Sequence, residues 1–317
     1  AMTSDGATPP KKALPKKALP REALSKKALA GKEAWREALA TERGLLLEGD
    51  GVEWLRRAEP GSIDLVVTDP PYNIGKAAWD NLGSLEDYLA WTQAWLSAAH
   101  AALKPSGTLY LMGFPEIVAQ ILAREGGRWA SVRWLTWYYR NKANLRNDWG
   151  RSHEAILCLR KGARFTFNTD PVRIPYNQHT TRYPERTQAK TSHYGGERKE
   201  RWSPHPQGAR PRDVLEVPVL SNGTSEKTAH PTQKPVQLIR KLVLASSDPG
   251  EQVVDPFGGS GTTALVAELN DRRWVTIERD SAYVELARVR ILDPEAHSGA
   301  QTRESESTTS ARRAKLR

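Results

Sequence analysis

The chain has 317 residues and a formal net charge of +10, with 38% hydrophobic and 26% charged residues. That length carries one large α/β domain with an inserted module, and no apolar run of about 18 residues exists to cross a membrane. The basic N-terminus lacks the apolar stretch of a secretory signal, and the one cysteine, Cys158, sits in an apolar run, which reads as a buried strand thiol in a reducing cytoplasm.

Residues 1–40 carry nine Lys/Arg and four acids, residues 298–317 five and two, and residues 161–215 eleven and five, so the remaining body is net negative. Positive charge gathered in two tails and one internal segment suits a polyanion, because each phosphate contact releases counterions. A solvated surface is the plainer alternative.

In chain order, residues 1–31 repeat a Lys-Lys-Ala-Leu-Pro unit, and the recurring proline prevents a continuous helix, predicting a flexible basic arm. From Lys32 to Thr41 the prolines stop, and Trp35, Ala38 and Leu39 share one face of a predicted short helix. Strands are predicted at Leu45–Glu48, Ile63–Thr68, Thr108–Met112, Leu135–Tyr138, Ala155–Leu159, Gln252–Val254 and Trp274–Ile277. Helices are predicted at about 85–103, 116–124, 235–247, 261–270 and 281–291. The alternation predicts an α/β fold, a doubly wound, mostly parallel seven-stranded sheet. Residues 32–162 and 216–297 form its two halves. Residues 163–215, rich in Pro, Gly, Arg and aromatics without a sustained period, are an insertion, and 298–317 are too polar to order themselves.

Two constellations carry chemistry. Asp69-Pro70-Pro71-Tyr72 follows a strand of five apolar or acidic residues and a threonine. A ring amine delocalises its lone pair, and a carboxylate and a carbonyl that each accept one N–H redirect it. Asp69 and the Pro70 carbonyl supply that pair from a backbone stiffened by two prolines, and Tyr72 offers a ring for an extruded base. A capped Pro-Pro turn at a strand end is the structural alternative. The second is Asp255-Pro256-Phe257-Gly258-Gly259-Ser260-Gly261-Thr262, between a strand and a helix. Its glycines permit close backbone approach, its helix N-terminus favours a carboxylate, and Glu278 at the end of the next strand is spaced to hold two ribose hydroxyls. The glycines do not fit G-x-G-x-x-G, no lysine makes a phosphate-binding loop, and no G-x-S-x-G elbow exists. A cofactor without a pyrophosphate fits best.

Together these motifs resemble the amino methyltransferases of bacterial restriction and modification systems. The catalytic tetrad precedes the cofactor loop, as in their circularly permuted beta group. His230-Pro231-Thr232-Gln233-Lys234-Pro235, Gly49-Asp50 and Arg151-Ser152-His153-Glu154-Ala155-Ile156 resemble further motifs of that group, and the likeness covers roughly residues 44–291. It implies S-adenosylmethionine as cofactor and double-stranded DNA as substrate, with base flipping, no membrane association and no metal. It implies catalysis by Asp69, Pro70, Pro71 and Tyr72. It implies cofactor contacts from Asp50, His230, Lys234, Pro235, Asp255, Phe257, Gly258, Gly259, Ser260, Gly261, Thr262 and Glu278. A homodimer and a cognate restriction endonuclease are implied partners, and residues 163–215 the target-recognition region. Asp at position 69 and the Asn168–Arg173 stretch favour adenine N6 over cytosine N4. A C5-cytosine enzyme is excluded because Cys158 follows a leucine instead of a proline, and a second histidine for a zinc protease is missing after His153-Glu154. A non-catalytic DNA-binding protein on the same fold is the reading from another class.

Overall fold

A computed structural model describes residues 35–76, 78–141, 144–187 and 201–298. The predicted basic arm, the tail from residue 299 and part of the insertion lie outside them.

In chain order the strands are β1 (Trp35–Ala40), β2 (Gly44–Gly49), β3 (Ile63–Thr68), β4 (Leu103–Gly113), β5 (Ser131–Tyr138), β6 (Asn144–Arg146), β7 (Asp148–Arg151), β8 (His153–Arg160), β9 (Arg186–Thr187), β10 (Arg201–Trp202), β11 (Val214–Glu216), β12 (Gln252–Asp255) and β13 (Arg273–Glu278). The helices are α1 (Gly51–Arg57), α2 (Leu85–Ala102), α3 (Pro115–Glu125), α4 (Gln178–Arg182), α5 (Val236–Ser246), α6 (Thr262–Leu269) and α7 (Ser281–Leu292). Nine strands form one sheet in the order β1-β2-β13-β12-β3-β4-β8-β5-β11. All seven predicted strands and five of the six predicted helices are present. Two edge strands extend the sheet from seven to nine.

The predicted helix over Lys32–Thr41 is corrected: Trp35–Ala40 is a strand, antiparallel to β2. Its apolar residues suit either period, and the backbone pairing offered by β2 decides. The other edge, β11, pairs parallel to β5, so the end of the predicted insertion belongs to the central sheet. Helix α1 begins at Asp50, whose carboxylate accepts the amides of Val52 and Glu53 at 2.8 and 2.9 Å.

Strand β3 is buried along its whole length, as a central parallel strand covered on both faces must be. Leu65 and Val67 face a core shared with α5, α6 and α7, and Val66 faces one shared with α1, α2 and α3. The capping box of Ser84 and Asp87 starts α2, which lays Tyr88, Trp95 and Leu96 into the second core.

The parallel strands β2, β13, β12, β3 and β4 all point their carboxyl ends to one edge of the sheet. Strand β8 runs against β4, with Ala155 opposite Gly113, so it begins at that same edge. Replacing Leu65, fully buried at the centre of β3, by Ala is expected to cost ~2–5 kcal/mol, read as a lower urea midpoint with unchanged slope.

Candidate active site

The loops leaving these strand ends enclose a crevice of ≈1230 Å³ counted out to its open mouth. Its wall brings together Asp69, Pro70, Pro71 and Tyr72 with Asp50, His230, Lys234, Asp255, Phe257, Gly258, Gly259, Ser260, Thr262 and Glu278. Two expected residues lie outside it. Pro235 is the N-cap of α5, and Gly261 packs against Ala287 of α7, where a Cβ would meet the alanine Cβ at 2.8 Å.

At the cofactor end, Asp255 is a fastener. Its Oδ1 accepts the Thr68 hydroxyl at 2.9 Å and the Phe257 amide at 3.1 Å, tying the end of β12 to the end of β3 and starting the glycine turn. Burial pushes this carboxyl up to about 7. Glu278 Oε2 accepts the Gly259 amide at 2.7 Å and Oε1 the amides of Arg279 and Asp280, each at 2.8 Å, and burial raises its pKa as well. Gly259 has φ +51°, and a Cβ there would stand 3.0 Å from His230 Nε2. The glycine is therefore required twice, by backbone and by neighbour. Arg290, buried in α7, holds the turn from beneath. Its Nη1 donates to the Ser260 carbonyl at 2.7 Å and to the Thr262 hydroxyl at 2.9 Å.

His230 lies edge-on to Tyr283 at 4.3 Å and stacks with Trp79 at 6.3 Å. Burial drives its pKa down to about 4 against the pull of Asp69, so the ring is neutral. Phe257 packs on Trp91 and Trp95. Asp50, besides capping α1, has its carbonyl held by Trp35 Nε1 at 2.9 Å, so the edge strand reaches the crevice.

At the catalytic end, the loop after the tetrad wraps around Asp80. This buried carboxylate accepts the amides of Tyr72, Asn73, Ile74 and Lys76 at 2.7–3.1 Å. The Pro71 carbonyl accepts the Tyr88 hydroxyl at 2.9 Å, while among the described residues no donor reaches the Pro70 carbonyl. Asp69 Oδ1 accepts the Tyr72 hydroxyl at 2.6 Å, and Oδ2 accepts the Lys234 ammonium at 2.5 Å. Lys234, expected among the cofactor contacts, thus sends its side chain to the catalytic acid.

Sequence reasoning left three residues of this cluster without a role. Glu154 Oε2 lies 2.9 Å from the Tyr72 hydroxyl oxygen. Its motif stood out, and its use as a site residue comes from the antiparallel entry of β8. Trp79 and Asp80 line the crevice with no sequence signal beyond following the tetrad by seven and eight residues.

A protein-family profile described as DNA methylase matches residues 63–289. The type II methyltransferase M.HpaI of Haemophilus parainfluenzae is 32% identical over 253 residues, 78% of this chain and 73% of that protein. The DNA adenine methyltransferase YhdJ of Escherichia coli K12 is 31% identical over 268 residues, 81% of this chain and 85% of that one. Among solved structures, the cytosine-N4-specific PvuII DNA methyltransferase shares the fold with a TM-score of 0.62 at 21% identity, over 81% of this chain and 89% of that chain. The fold is that of the S-adenosylmethionine-dependent methyltransferases. The chain belongs to the N6/N4 DNA methylase family, enzymes that methylate DNA from S-adenosylmethionine.

Two outcomes test the site. Gly259→Ala is expected to weaken S-adenosylmethionine binding at least ~10-fold in calorimetry, because turn and histidine must both shift. His230 contributes a pH dependence. Its folded pKa of about 4 lies below the ~6.5 of an unfolded histidine, so the unfolded chain binds the extra proton and stability falls as pH drops from 6.5 to 4. Asp255, raised to about 7, acts with the opposite sign. In urea unfolding at pH 7 and pH 4, His230→Gln should lose up to ~3 kcal/mol less than the parent across that interval.

Proposed function

We propose that the protein is a site-specific methyltransferase acting on the exocyclic N6 amine of an adenine flipped out of duplex DNA. The observation that carries this reading is the placement of the Asp69 carboxylate and the Pro70 carbonyl in the same crevice as Gly259 and Glu278. S-adenosylmethionine, when bound, supplies an electrophilic sulfonium methyl. The residues fit that ligand: Glu278 retains acceptor capacity for ribose hydroxyls, the Gly258–Gly261 turn admits a close approach, and Phe257 and Asp50 flank the space for an adenine ring.

Asp69 and the Pro70 carbonyl each accept one N–H of the target amine and turn its lone pair towards the methyl carbon. Tyr72 offers a ring face to the base. Its other interactions, edge-on Phe114 at 5.0 Å and the Lys234 ammonium 5.3 Å from its centroid, hold that face in place. Bound S-adenosylmethionine would supply the methyl group, and the Asp69 carboxylate, which accepts one amine hydrogen, is placed to take up the proton that the methylated amine must lose. Asp69 in the tetrad, the Asn168–Arg173 stretch and the kinship with an adenine enzyme from Escherichia coli support adenine. The basic, aromatic segment 163–215 is assigned to target recognition. In its described parts Tyr176 packs on Trp202 and Ile174 bridges to Ala209.

Asp69→Ala should lower methyl transfer at least ~10³-fold and leave cofactor affinity within a few-fold, as expected for a group used mainly in the transition state. Mass spectrometry of nucleosides from treated DNA should show N6-methyladenine. N4-methylcytosine alone would reassign the base, and DNA binding with no methylation at all would make the chain a binding protein.

A further inference from the structure

Four ionisable side chains meet at the catalytic end, and their hydrogen count does not match their contacts. The Tyr72 oxygen lies 2.6 Å from Asp69 Oδ1 and 2.9 Å from Glu154 Oε2. Burial, then the two neighbouring carboxylates, push the tyrosine pKa well up, so it is a phenol with a single hydrogen to donate. One carboxylate takes that hydrogen. The other faces the lone pairs of the same oxygen.

Two carboxylates that meet at one phenol oxygen, away from the full screening of water, repel each other. Left unmatched, that repulsion would turn the Asp69 carboxylate away from an incoming amine. Among the described residues the Lys234 ammonium is the one cation in contact with both, 2.5 Å from Asp69 and 3.7 Å from Glu154, and the side chain is 7% exposed. Burial works against its charge, yet the two carboxylates outweigh burial and raise its pKa. The backbone keeps the ammonium there: the Lys234 carbonyl accepts the Thr262 hydroxyl at 3.2 Å, and Gln233 beside it accepts from Thr228 and donates to the Glu226 carbonyl. The remaining charged or titratable neighbours are Tyr139 and Arg151 on the side of Glu154, and His230, Tyr88 and Asp255 on the side of Asp69. Arg151 is committed to Glu116 at 2.8 Å, and His230 is neutral.

We propose that Lys234 is a positioning counter-ion for the catalytic carboxylate, the charge that lets Asp69 and Glu154 be ionised together around one phenol. The ammonium sits within reach of both acids, so it moves onto Glu154 when the target amine takes up Asp69 Oδ2. The inference deepens the proposed function and rests on Asp69 being the amine acceptor.

The test is the pH profile of kcat, with KM for S-adenosylmethionine, for the parent, Lys234→Met, Glu154→Gln and the double variant. Lys234→Met should lower kcat at pH 7 at least ~10-fold, shift the acid limb up by about one pH unit or more, and change KM for the cofactor little. Glu154→Gln keeps an acceptor for Tyr72 and removes one negative charge, so its acid limb should move down. In the double variant the limb should return towards the parent and kcat should exceed that of Lys234→Met. A rise in KM for the cofactor with an unmoved limb would make Lys234 a cofactor contact and overturn the proposal, as would a double variant no better than Lys234→Met. Should Lys234→Met fail to fold, Glu154→Gln decides by itself: a limb that stays or moves up refutes the idea. Asp69→Ala separates the two levels. Activity retained there faults the proposed function, whereas activity lost there with unmoved limbs in the other variants faults this inference alone.

Discussion

The parallel register of β3 between β12 and β4 is the constraint from which the site follows. It delivers Asp69 and Asp255 side by side at one sheet edge, and the hydrogen bond from Thr68 to Asp255 locks the two strand ends together in a buried setting. A slip of one residue would reverse the faces of Leu65, Val66 and Val67 and expose one layer of core. The hydrophobic cost of that slip is what holds the catalytic loop against the cofactor loop.

On that frame the site is built by backbone donors more than by side-chain contacts. Asp80 collects four amides, Glu278 three, and Asp50 two, and each carboxylate thereby fixes a loop that leaves a strand end. Side-chain charge is densest at the catalytic end, where two acids, a phenol and an ammonium are gathered largely out of water. Such a cluster is costly to assemble unless its charges are matched, and the Lys234 ammonium lies against both acids.

The alternating apolar runs made the sheet legible, since a strand such as Ile63–Thr68 buried on both faces leaves a continuous apolar imprint. Edge elements were not legible. Trp35–Ala40 carries apolar residues compatible with either period, and the three residues of β11 are too few for any pattern; both were decided by an available neighbour. The tetrad and the glycine turn announced themselves because their chemistry demands residue types in a local order. Glu154 and Lys234 stood in recognisable motifs, but their use depended on strands and loops 82 and 165 residues away from the groups they touch.

The sequence by itself determined the class of the fold, the two motifs that frame the reaction, and the glycines where a side chain cannot fit, because each of these is a matter of local periodicity or local stereochemistry. Only the tertiary structure decided that Pro235 and Gly261 lie outside the crevice wall, that Asp255 fastens two strands, and that Lys234 faces Asp69. Those assignments depend on which strand ends share an edge and which charges are shut away from water together. Distances through space, set by the packing of both sheet faces, govern them, and the linear order of residues carries no record of those distances.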